Sequence, residues 1–317
     1  GRKMPQLWHN WLSRSDIEHF ITLSDYEVIE CRREILLPVF IPILSNLVNN
    51  HLAHMPILNA FTLSTFALLR PREKASARPL STSIIIPCRN ERENIRPAIE
   101  RLPDFGTSQE IIFVDGKSSD GTVQRITELQ DEFPEKRIRL YNQQGSGKGD
   151  AVRYGFERAT GDILMILDAD LTVPPEEMPK FYHAIASGKG EFIAGSRLVY
   201  PMEKQAMRIL NIMGNKAFSL LFSWLFNRRI KDTLCGTKVI LRSDYVRLMK
   251  TDAAQFGERD PFGDFHLLLG AFRLNLKYLE IPIIYRERRY GVTNIRRFFH
   301  GLQLARVVWS AYRWIRR

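Results

Sequence analysis

The sequence predicts an α/β fold: a doubly wound, mostly parallel sheet with flanking helices, a small N-terminal α+β appendage and a basic C-terminal helix. Two observations predict the sheet. From residue 81 onward, strand-like and helix-like segments alternate, as they do in βαβ units. The cores of the strand-like segments are continuous apolar runs, IIIP, IIFV and ILMIL, which are typical of strands that helices cover on both faces.

The composition excludes several other classes of protein. Apolar residues make up 44% and charged residues 26% of the 317 residues, which excludes a disordered or collagen-like chain. No stretch reaches the roughly 18 uninterrupted apolar residues of a spanning helix, because Pro38 and Pro42 break the longest candidate, LLPVFIPILSNLV. Cys31, Cys88 and Cys235 lack CxxC spacing, so we expect neither disulfides nor a thiolate zinc site. We expect a reducing, cytosolic compartment.

Residues 1–73 form the predicted appendage. Its elements are a short helix in SRSDIEHFITL, strands in YEVIEC and REILL, and a further strand in NAFTLSTFALL. A hinge, RPREKASARPLS, separates the appendage from the main domain, residues 80–291. Because residue 1 is Gly rather than Met, we expect the sequence to be a piece of a longer polypeptide.

Five strands are predicted in the main domain, each followed by a helix. In order, STSIIIP precedes ERENIRPAIERL, EIIFVD precedes DGTVQRITELQ, IRLYNQ precedes KGDAVRYGFERA, DILMILDAD precedes PEEMPKFYHAI, and EFIAGS opens into a long helical stretch. Ligands of such sheets bind outside the carboxyl ends of the strands. The residues that follow each apolar run are therefore the candidates for chemistry.

Carboxylates follow three of these strands. Asn90 and Glu91 follow the first strand, Asp115 ends the second, and Asp168 and Asp170 follow the fourth. Hard carboxylate oxygens at positions i and i+2 suit Mg²⁺ or Mn²⁺ carrying phosphate oxygens, and such an ion can neutralise a diphosphate leaving group. The alternative is that the D-x-D sequence only caps a turn before the next helix.

Other catalytic motifs are missing or incomplete. In GSGKGD, Gly149 stands where a P-loop needs Ser or Thr, so we expect only a loop close to a ligand backbone and a helix start. There is no GxGxxG after the first strand, no HExxH and no GxSxG. Dinucleotide binding, zinc hydrolysis and an α/β-hydrolase mechanism are therefore not supported.

The ordered motifs PCRNERENI, EIIFVDGKSSDGT, GKGDAVRYGFERATGDILMILDADLTVPPEEMPKF, GSR and DTLCGTKVI resemble family 2 glycosyltransferases of the GT-A fold. The resemblance covers about residues 80 to 295 and is greatest to polyprenyl-phosphate sugar transferases of the dolichyl-phosphate mannosyltransferase type. It implies a hexosyltransferase that uses a UDP- or GDP-linked sugar with Mg²⁺ or Mn²⁺. It further implies a metal-diphosphate site at Asp168 and Asp170, and a nucleotide pocket lined by Pro87, Asn90, Glu91, Asp115 and Asp168.

Two positions depart from the family pattern. Gly116 replaces the second acidic residue of the VDD-type motif, which leaves the nucleoside base open. Lys238 stands where DxxSGF-type motifs usually have Arg, and Lys lacks the two-pronged guanidinium that grips phosphate.

The first 70 residues resemble the last elements of a class I S-adenosylmethionine-dependent methyltransferase domain. The cofactor-binding half of such a domain is absent, so we do not expect methyl transfer. The alternative is an unrelated N-terminal cap.

Basic side chains point to an anionic acceptor. The candidates for binding an acceptor phosphate are Arg197, Arg208, Lys238 and Arg288, although each could instead be a solvated surface charge. A phosphate monoester, with a second pKa of about 6, can attack the sugar without a strong base, and the resemblance implies inversion at C1. Asp264 is the candidate base for a hydroxyl acceptor, or the N-cap of the following helix.

The C-terminal segment carries most of the excess positive charge. Residues 288–317 hold eight Arg and no Asp or Glu, which is +8 of the net charge of +11. Residues 292–317 are predicted to form an amphipathic helix whose arginines and tryptophans bind the cytoplasmic face of a membrane, or a helix docked on the domain with its arginines in water. A nucleic-acid partner is not expected, because the remaining 287 residues carry only +3.

These observations leave three hypotheses. The leading one is a metal-dependent, inverting transferase that moves a sugar from a nucleotide diphosphate to a polyprenyl phosphate at the membrane surface. The second keeps the fold but gives it a soluble hydroxyl acceptor. The third is a non-catalytic sugar-nucleotide binder or scaffold.

Overall fold

The computed structural model describes residues 21, 26–55, 58–71, 79–197, 209–226, 230–251, 265–288, 290, 306 and 308–313. The chain divides into two compact units, residues 1–74 and 75–317. Two of the predicted site residues, Arg208 and Asp264, lie outside the described residues. So do most of the predicted C-terminal helix and of the predicted helix in SRSDIEHFITL.

The N-terminal unit contains a two-stranded antiparallel sheet. Strand β1 (Tyr26–Glu34) pairs with β2 (Ser64–Pro71), and between them lie helix α1 (Leu44–Asn50) and 3₁₀ turns at Leu52–His54 and Leu58–Phe61. The prediction of a separate strand in REILL was wrong. β1 runs on to Glu34, and Ile35 then adopts a φ of 64°, a left-handed conformation that an extended strand cannot contain. The methyltransferase resemblance of this unit stays a prediction.

The second unit contains a seven-stranded sheet in its described part. Its strands are β3 (Thr82–Cys88), β4 (Gln109–Asp115), β5 (Arg137–Asn142), β6 (Ile163–Ile166), β7 (Phe192–Ser196), β8 (Lys238–Leu241) and β9 (Tyr278–Pro282). Their order is β5-β4-β3-β6-β8-β7-β9, and all neighbouring pairs are parallel except those that β8 makes with β6 and β7. The predicted mostly parallel sheet is confirmed.

Helices follow the strands as the sequence pattern predicts. They are α2 (Arg92–Glu100), α3 (Thr122–Glu132), α4 (Lys148–Arg158), α5 (Met178–Ala186), α6 (Ile209–Phe226), α7 (Arg242–Met249) and α8 (Phe265–Arg273). Residues 308–313 are also helical. No helix in the described parts of the chain combines the length and the apolar character needed to cross a membrane.

Apolar cores lie on both faces of the sheet, which explains the continuous apolar runs. On β3, Ile84 and Ile86 belong to one core and Ile85 to the other. Helix α4 approaches the second face so closely that a Cβ on Gly155 would lie 2.7 Å from Cγ2 of Ile85. The strands therefore carry apolar residues at consecutive positions instead of alternating ones.

The topology brings several chain segments to one edge of the sheet. In the β3–β4 register, Cys88 pairs with Asp115, and the N–H of Leu167, just after β6, donates to the carbonyl of Ile85 at 3.0 Å. Because β8 is antiparallel to β6, the residues that precede β8 lie at the same edge as those that follow β6. The carboxyl ends of β3, β4 and β6 and the loop before β8 thus frame one site.

Candidate active site

A buried carboxylate ends β4. Asp115 is 2% exposed, and its Oδ2 accepts a hydrogen bond from the backbone N–H of Ser118 at 3.0 Å. Its Oδ1 is also buried but has no hydrogen-bond partner among the described residues. A buried acceptor without a donor is rare in a folded protein, and a ligand N–H is one of the few groups that can satisfy it. This geometry fits the nucleotide pocket that the sequence predicts at Asp115.

Asn90 fixes the loop that follows Asp115. Its backbone adopts a φ of 56°, its N–H donates to Oγ of Ser118 at 2.9 Å, and its Oδ1 accepts from the N–H of Ser119 at 2.8 Å. Asn tolerates this left-handed conformation better than most residues. The structure therefore places Asn90 as a support of the loop beside Asp115. Pro87 lies one residue before the end of β3, where it pairs with Val114.

The acidic pair occupies a tight turn after β6. The N–H of Leu171 donates to the carbonyl of Asp168 at 3.1 Å, and Leu171 has a φ of 52°. Oδ1 of Asp170 accepts from the N–H and Oγ1 of Thr172, at 3.1 and 2.8 Å. This side-chain turn fixes the orientation of the Asp170 carboxylate and leaves its Oδ2 for other partners.

Arg288 connects the acidic pair to Glu91. The N–H of Arg286 donates to the carbonyl of Thr172 at 2.8 Å, which lays the segment after β9 alongside the acidic turn. From there Nη2 of Arg288 donates to Oδ2 of Asp170 at 2.5 Å and its Nη1 donates to Oε1 of Glu91 at 3.2 Å. Burial raises the pKa of Glu91, while hydrogen bonding and the charge of Arg288 act in the opposite direction. Three predicted site residues thus form one charged cluster.

The sequence reasoning assigned no partner to Lys148, which is the first residue of α4. Its ammonium forms an ion pair with Oδ1 of Asp168. The backbone of Gly236, in the loop before β8, lies against both side chains, because a Cβ there would collide with Oδ2 of Asp168 and Nζ of Lys148. The glycine-rich GSGKGD sequence was the available signal, since it predicted a loop near a ligand at this position.

Arg197, a predicted ligand of the acceptor phosphate, is paired with an internal carboxylate, and its predicted role stays a prediction. Its Nε and Nη2 donate to the two carboxylate oxygens of Asp232 at 2.7 and 2.8 Å, and Asn215 donates to the same carboxylate at 2.8 Å. Burial alone would raise the pKa of Asp232, but the guanidinium of Arg197 outweighs burial and lowers it to about 2. The guanidinium also lies 5.2 Å from the ring centroid of Tyr285.

Lys238 is also buried and hydrogen-bonded inside the protein. It is the first residue of β8 and is almost completely buried, and its ammonium donates to the backbone carbonyl of Cys235. This geometry does not favour the predicted contact of Lys238 with an acceptor phosphate. Of the four predicted phosphate ligands, Arg288 is the one that the described structure brings to the acidic pair.

The donor set at this edge fits a divalent ion that shares its coordination with substrate phosphates. The described residues contain no cluster of three or more His, Cys, Asp or Glu side chains suited to hold an ion by themselves. Mg²⁺ and related ions are commonly bound by one or two carboxylates, with phosphates and water completing the coordination sphere. Asp168 and Asp170 would hold such an ion.

A depression lies away from these residues. It has a volume of about 500 Å³ and is lined by residues 104–109 and 135–137, near the amino ends of β4 and β5. Ligands of open α/β sheets bind at the carboxyl ends of the strands, where the charged cluster is found. We therefore assign the candidate active site to the carboxyl edge.

Two curated relatives resemble this chain over part of its length. It is 39% identical over 122 residues to the dolichol-phosphate mannosyltransferase of Pyrococcus furiosus, a match that covers 38% of this chain and 34% of the relative. It is 29% identical over 220 residues to the undecaprenyl-phosphate 4-deoxy-4-formamido-L-arabinose transferase of Pectobacterium carotovorum, covering 67% of this chain and 62% of the relative. The chain thus spans less than two thirds of the length of either relative.

Solved structures support the fold. Glucosyl-3-phosphoglycerate synthase from Mycobacterium tuberculosis, solved with Mn²⁺, UDP-glucose and phosphoglyceric acid, superposes with a TM-score of 0.56 at 19% identity. The match covers 74% of this chain and 80% of that one. In sequence, the model of the family described as glycosyl transferase family 2 matches residues 83–256, more than half of the chain and all of the strands that frame the site. The chain belongs to glycosyl transferase family 2.

Proposed function

We propose that this protein transfers a sugar from a nucleotide diphosphate to a polyprenyl phosphate, with inversion at C1 and with the help of Mg²⁺ or Mn²⁺. The observation that carries the proposal is the pair of ionic contacts on the acidic turn: Lys148 pairs with Asp168, and Arg288 pairs with Asp170 and with Glu91. Family membership and the names of the two relatives, which both refer to a polyprenyl phosphate, support the reaction class.

The residues of the cluster divide the work in this proposal. The orphaned Oδ1 of Asp115 accepts a hydrogen bond from the nucleoside. Asp168 and Asp170 would hold the divalent ion, which when bound supplies charge neutralisation for the diphosphate leaving group. Arg288 binds the acceptor phosphate, since its guanidinium offers several donors in a planar fork. Asp264 keeps its predicted role of general base only for a hydroxyl acceptor.

The chemistry needs no strong base. A phosphate monoester is largely a dianion at neutral pH, because its second pKa is about 6. One of its oxygens forms the new bond to C1 while the bond from C1 to the diphosphate oxygen breaks, and the nucleoside diphosphate leaves with the electron pair. A single displacement of this kind inverts the configuration at C1.

A donor-turnover assay tests the catalytic part of the proposal. We would incubate the protein with UDP- and GDP-linked sugars, a polyprenyl phosphate and Mn²⁺, and measure the lipid-linked sugar formed. Asp170→Asn is expected to lower turnover by at least about 100-fold, because a neutral amide is a poor ligand for a hard cation. Asp104→Asn, an exposed residue at the opposite edge of the sheet, serves as the control. Unchanged turnover in Asp170→Asn would remove the metal role.

Acceptor identity is tested in the same assay. Replacing the polyprenyl phosphate by a soluble alcohol or a soluble hydroxy acid is expected to abolish transfer. Efficient transfer to such an acceptor would instead favour the second hypothesis, a glycosyltransferase with a soluble hydroxyl acceptor. Tight nucleotide binding without transfer to any acceptor would favour the non-catalytic binder.

Association with the cytoplasmic face of a membrane is part of this proposal. Residues 308–313 contribute Ala311 to a buried cluster, and Tyr312 stacks on Trp224 of α6 with 5.6 Å between ring centroids. Trp309 on the same segment is 62% exposed, and Leu220 on α6 is 69% exposed. Tryptophan side chains and arginines together favour the headgroup region of an anionic leaflet.

Vesicle sedimentation tests the membrane contact. Trp309→Ala is expected to weaken binding to vesicles that contain phosphatidylglycerol by several-fold, and high salt is expected to weaken binding of the wild type. Phe61→Ala provides a matched control, because Phe61 is a 70% exposed aromatic residue of the N-terminal unit. Equal loss in both variants, or no loss in Trp309→Ala, would contradict a specific role of the C-terminal segment.

A further inference from the structure

Each carboxylate of the acidic pair is already bound by a basic side chain. Lys148, at the start of α4, forms an ion pair with Asp168. Arg288, from the segment after β9, donates to Asp170 at 2.5 Å and to Glu91 at 3.2 Å. The two cations come from distant parts of the sequence and contact Asp168 and Asp170, which are separated by a single residue.

These ion pairs neutralise partly buried carboxylates at the carboxyl edge of the sheet. Burial raises the pKa of Glu91, and the repulsion between its carboxylate and that of Asp170 acts in the same direction. An ammonium and a guanidinium offset the repulsion and fix the geometry of the carboxylates. A divalent ion on the same carboxylates would lie next to two positive side chains. Its binding is then unfavourable unless those side chains find other anions.

The surroundings of Lys148 limit where its ammonium can find another anion. The backbone of Gly236 closes one side of the Lys148–Asp168 pair. Helix α4 begins after Gly147, where a φ of 84° ends a glycine-rich turn and a Cβ would have no atom within 4 Å. Open space therefore lies beside the start of an 11-residue helix whose first residue is Lys148. Such an environment suits phosphate oxygens.

We propose that Lys148 and Arg288 are exchangeable counter-ions of the acidic pair. Without substrates they neutralise Asp168 and Asp170. When the divalent ion binds, Lys148 transfers to the donor diphosphate and Arg288 transfers to the acceptor phosphate. The inference rests on the proposed function and adds Lys148 as a binding residue. It also predicts a coupling. The ion binds weakly by itself, and it binds tightly when substrate anions pair with Lys148 and Arg288 in place of the two carboxylates. Such coupling is reciprocal, so the ion also strengthens binding of the anions.

Direct Mn²⁺ titration tests this inference without turnover. Free Mn²⁺ is measured by electron paramagnetic resonance, with and without UDP or GDP, for the wild type, Lys148→Met and Arg288→Met. Both variants are expected to bind Mn²⁺ alone about tenfold more tightly or better, because a competing positive charge is gone. In Lys148→Met the extra affinity that the nucleotide confers on Mn²⁺ is expected to shrink by a similar factor. In Arg288→Met the same loss is expected when farnesyl phosphate replaces the nucleotide.

Two ion pairs outside the acidic turn provide matched controls. Lys180 pairs with Glu177 at 2.7 Å, and Arg101 pairs with Glu176 at 2.9 Å, so Lys180→Met and Arg101→Met remove a paired cation elsewhere in the same unit. Neither is expected to change Mn²⁺ affinity. Unchanged or weaker Mn²⁺ binding in folded Lys148→Met and Arg288→Met would overturn the inference. If the titrations behave as stated but no sugar is transferred, the counter-ion exchange stands and the proposed function fails.

Discussion

Arg197 gives three hydrogen bonds to the carboxylate of Asp232: two from its guanidinium, at 2.7 and 2.8 Å, and one from its own backbone N–H at 2.9 Å. The same carboxylate accepts from the N–H of Leu234 at 3.1 Å, so it fixes the loop that leads to Gly236. The Arg197–Asp232 pair therefore holds this loop. The arginine of the GSR motif, which sequence alone suggests for substrate phosphate, is bound to a carboxylate of the protein itself.

Asp232→Asn is expected to destabilise the protein strongly. The variant leaves the guanidinium of Arg197 buried with a neutral partner, and breaking a buried ion pair from one side costs about 3–5 kcal/mol. Urea unfolding measures the loss. Glu176→Gln, which breaks the exposed pair with Arg101, is expected to cost less than about 1 kcal/mol. Equal stability of Asp232→Asn and wild type would contradict the buried-pair argument.

Acid is expected to destabilise the protein through the same carboxylate. The pKa of Asp232 is about 2 in the folded protein, below the value of about 3.9 in an unfolded chain. Its contribution of roughly 2–3 kcal/mol is fully present above pH ~4 and is lost as the pH falls toward 2. Urea unfolding at a series of pH values between 5 and about 2.5 should follow this loss. In Asp232→Asn this part of the pH dependence should be missing, and an identical acid limb in both proteins would assign it to other groups.

Gly236→Ala is expected to impair the site while the fold survives. Its methyl group would collide with Asp168 and Lys148, so the loop before β8 must move away from the acidic pair. We expect Mn²⁺-dependent nucleotide binding, measured by calorimetry, to weaken by at least about tenfold. Gly190→Ala is the matched control. Gly190 lies just before β7 and away from the site, and its added Cβ would lie 2.9 Å from Cβ of Leu279. A control that loses as much affinity as Gly236→Ala would point to a general loss of folding.

Gly155→Ala is expected to weaken the packing of α4 on the sheet. The added methyl group would lie 2.7 Å from Cγ2 of Ile85 and 3.2 Å from Cγ2 of Val114, and both side chains are fully buried. Overpacking of this kind costs about 1–3 kcal/mol. Gly214→Ala, in α6 with open space around the added group, should instead stabilise the helix by up to about 1 kcal/mol. Thermal unfolding compares the two, and equal melting temperatures would contradict the close approach of α4.

The sequence predicted strands β3, β4 and β6 because strands buried on two faces contain consecutive apolar residues. Ile84, Ile85 and Ile86 are consecutive and all fully buried, and Asp115 follows such a run directly. The direction of β8 left no comparable mark. Four residues, three of them apolar, are too few to show whether the strand runs with or against its neighbours, because hydrogen-bond pairing decides that.

The partners of the charged residues were also beyond sequence reasoning. Arg288 contacts Glu91 across 197 positions and Asp170 across 118, and no periodicity connects residues so far apart. The sequence identified Arg197 and Arg288 as cations of the right kind, but only the three-dimensional arrangement distinguishes the one bound to Asp232 from the one at the acidic pair. Lys148 received no role because its motif, GSGKGD, was compared only with a P-loop, which it does not match at Gly149.

The antiparallel direction of β8 constrains the segment that connects β7 to β8. Ala194 near the end of β7 pairs with Lys238 at the start of β8, so the chain leaves and re-enters the sheet at adjacent points on one edge. The segment between these strands includes Asp232 and Gly236, so a change in its length also moves the loop that lies against Asp168 and Lys148. A segment grafted here from another member of the family must therefore keep the Arg197–Asp232 ion pair and Gly236 if the acidic pair is to stay in place.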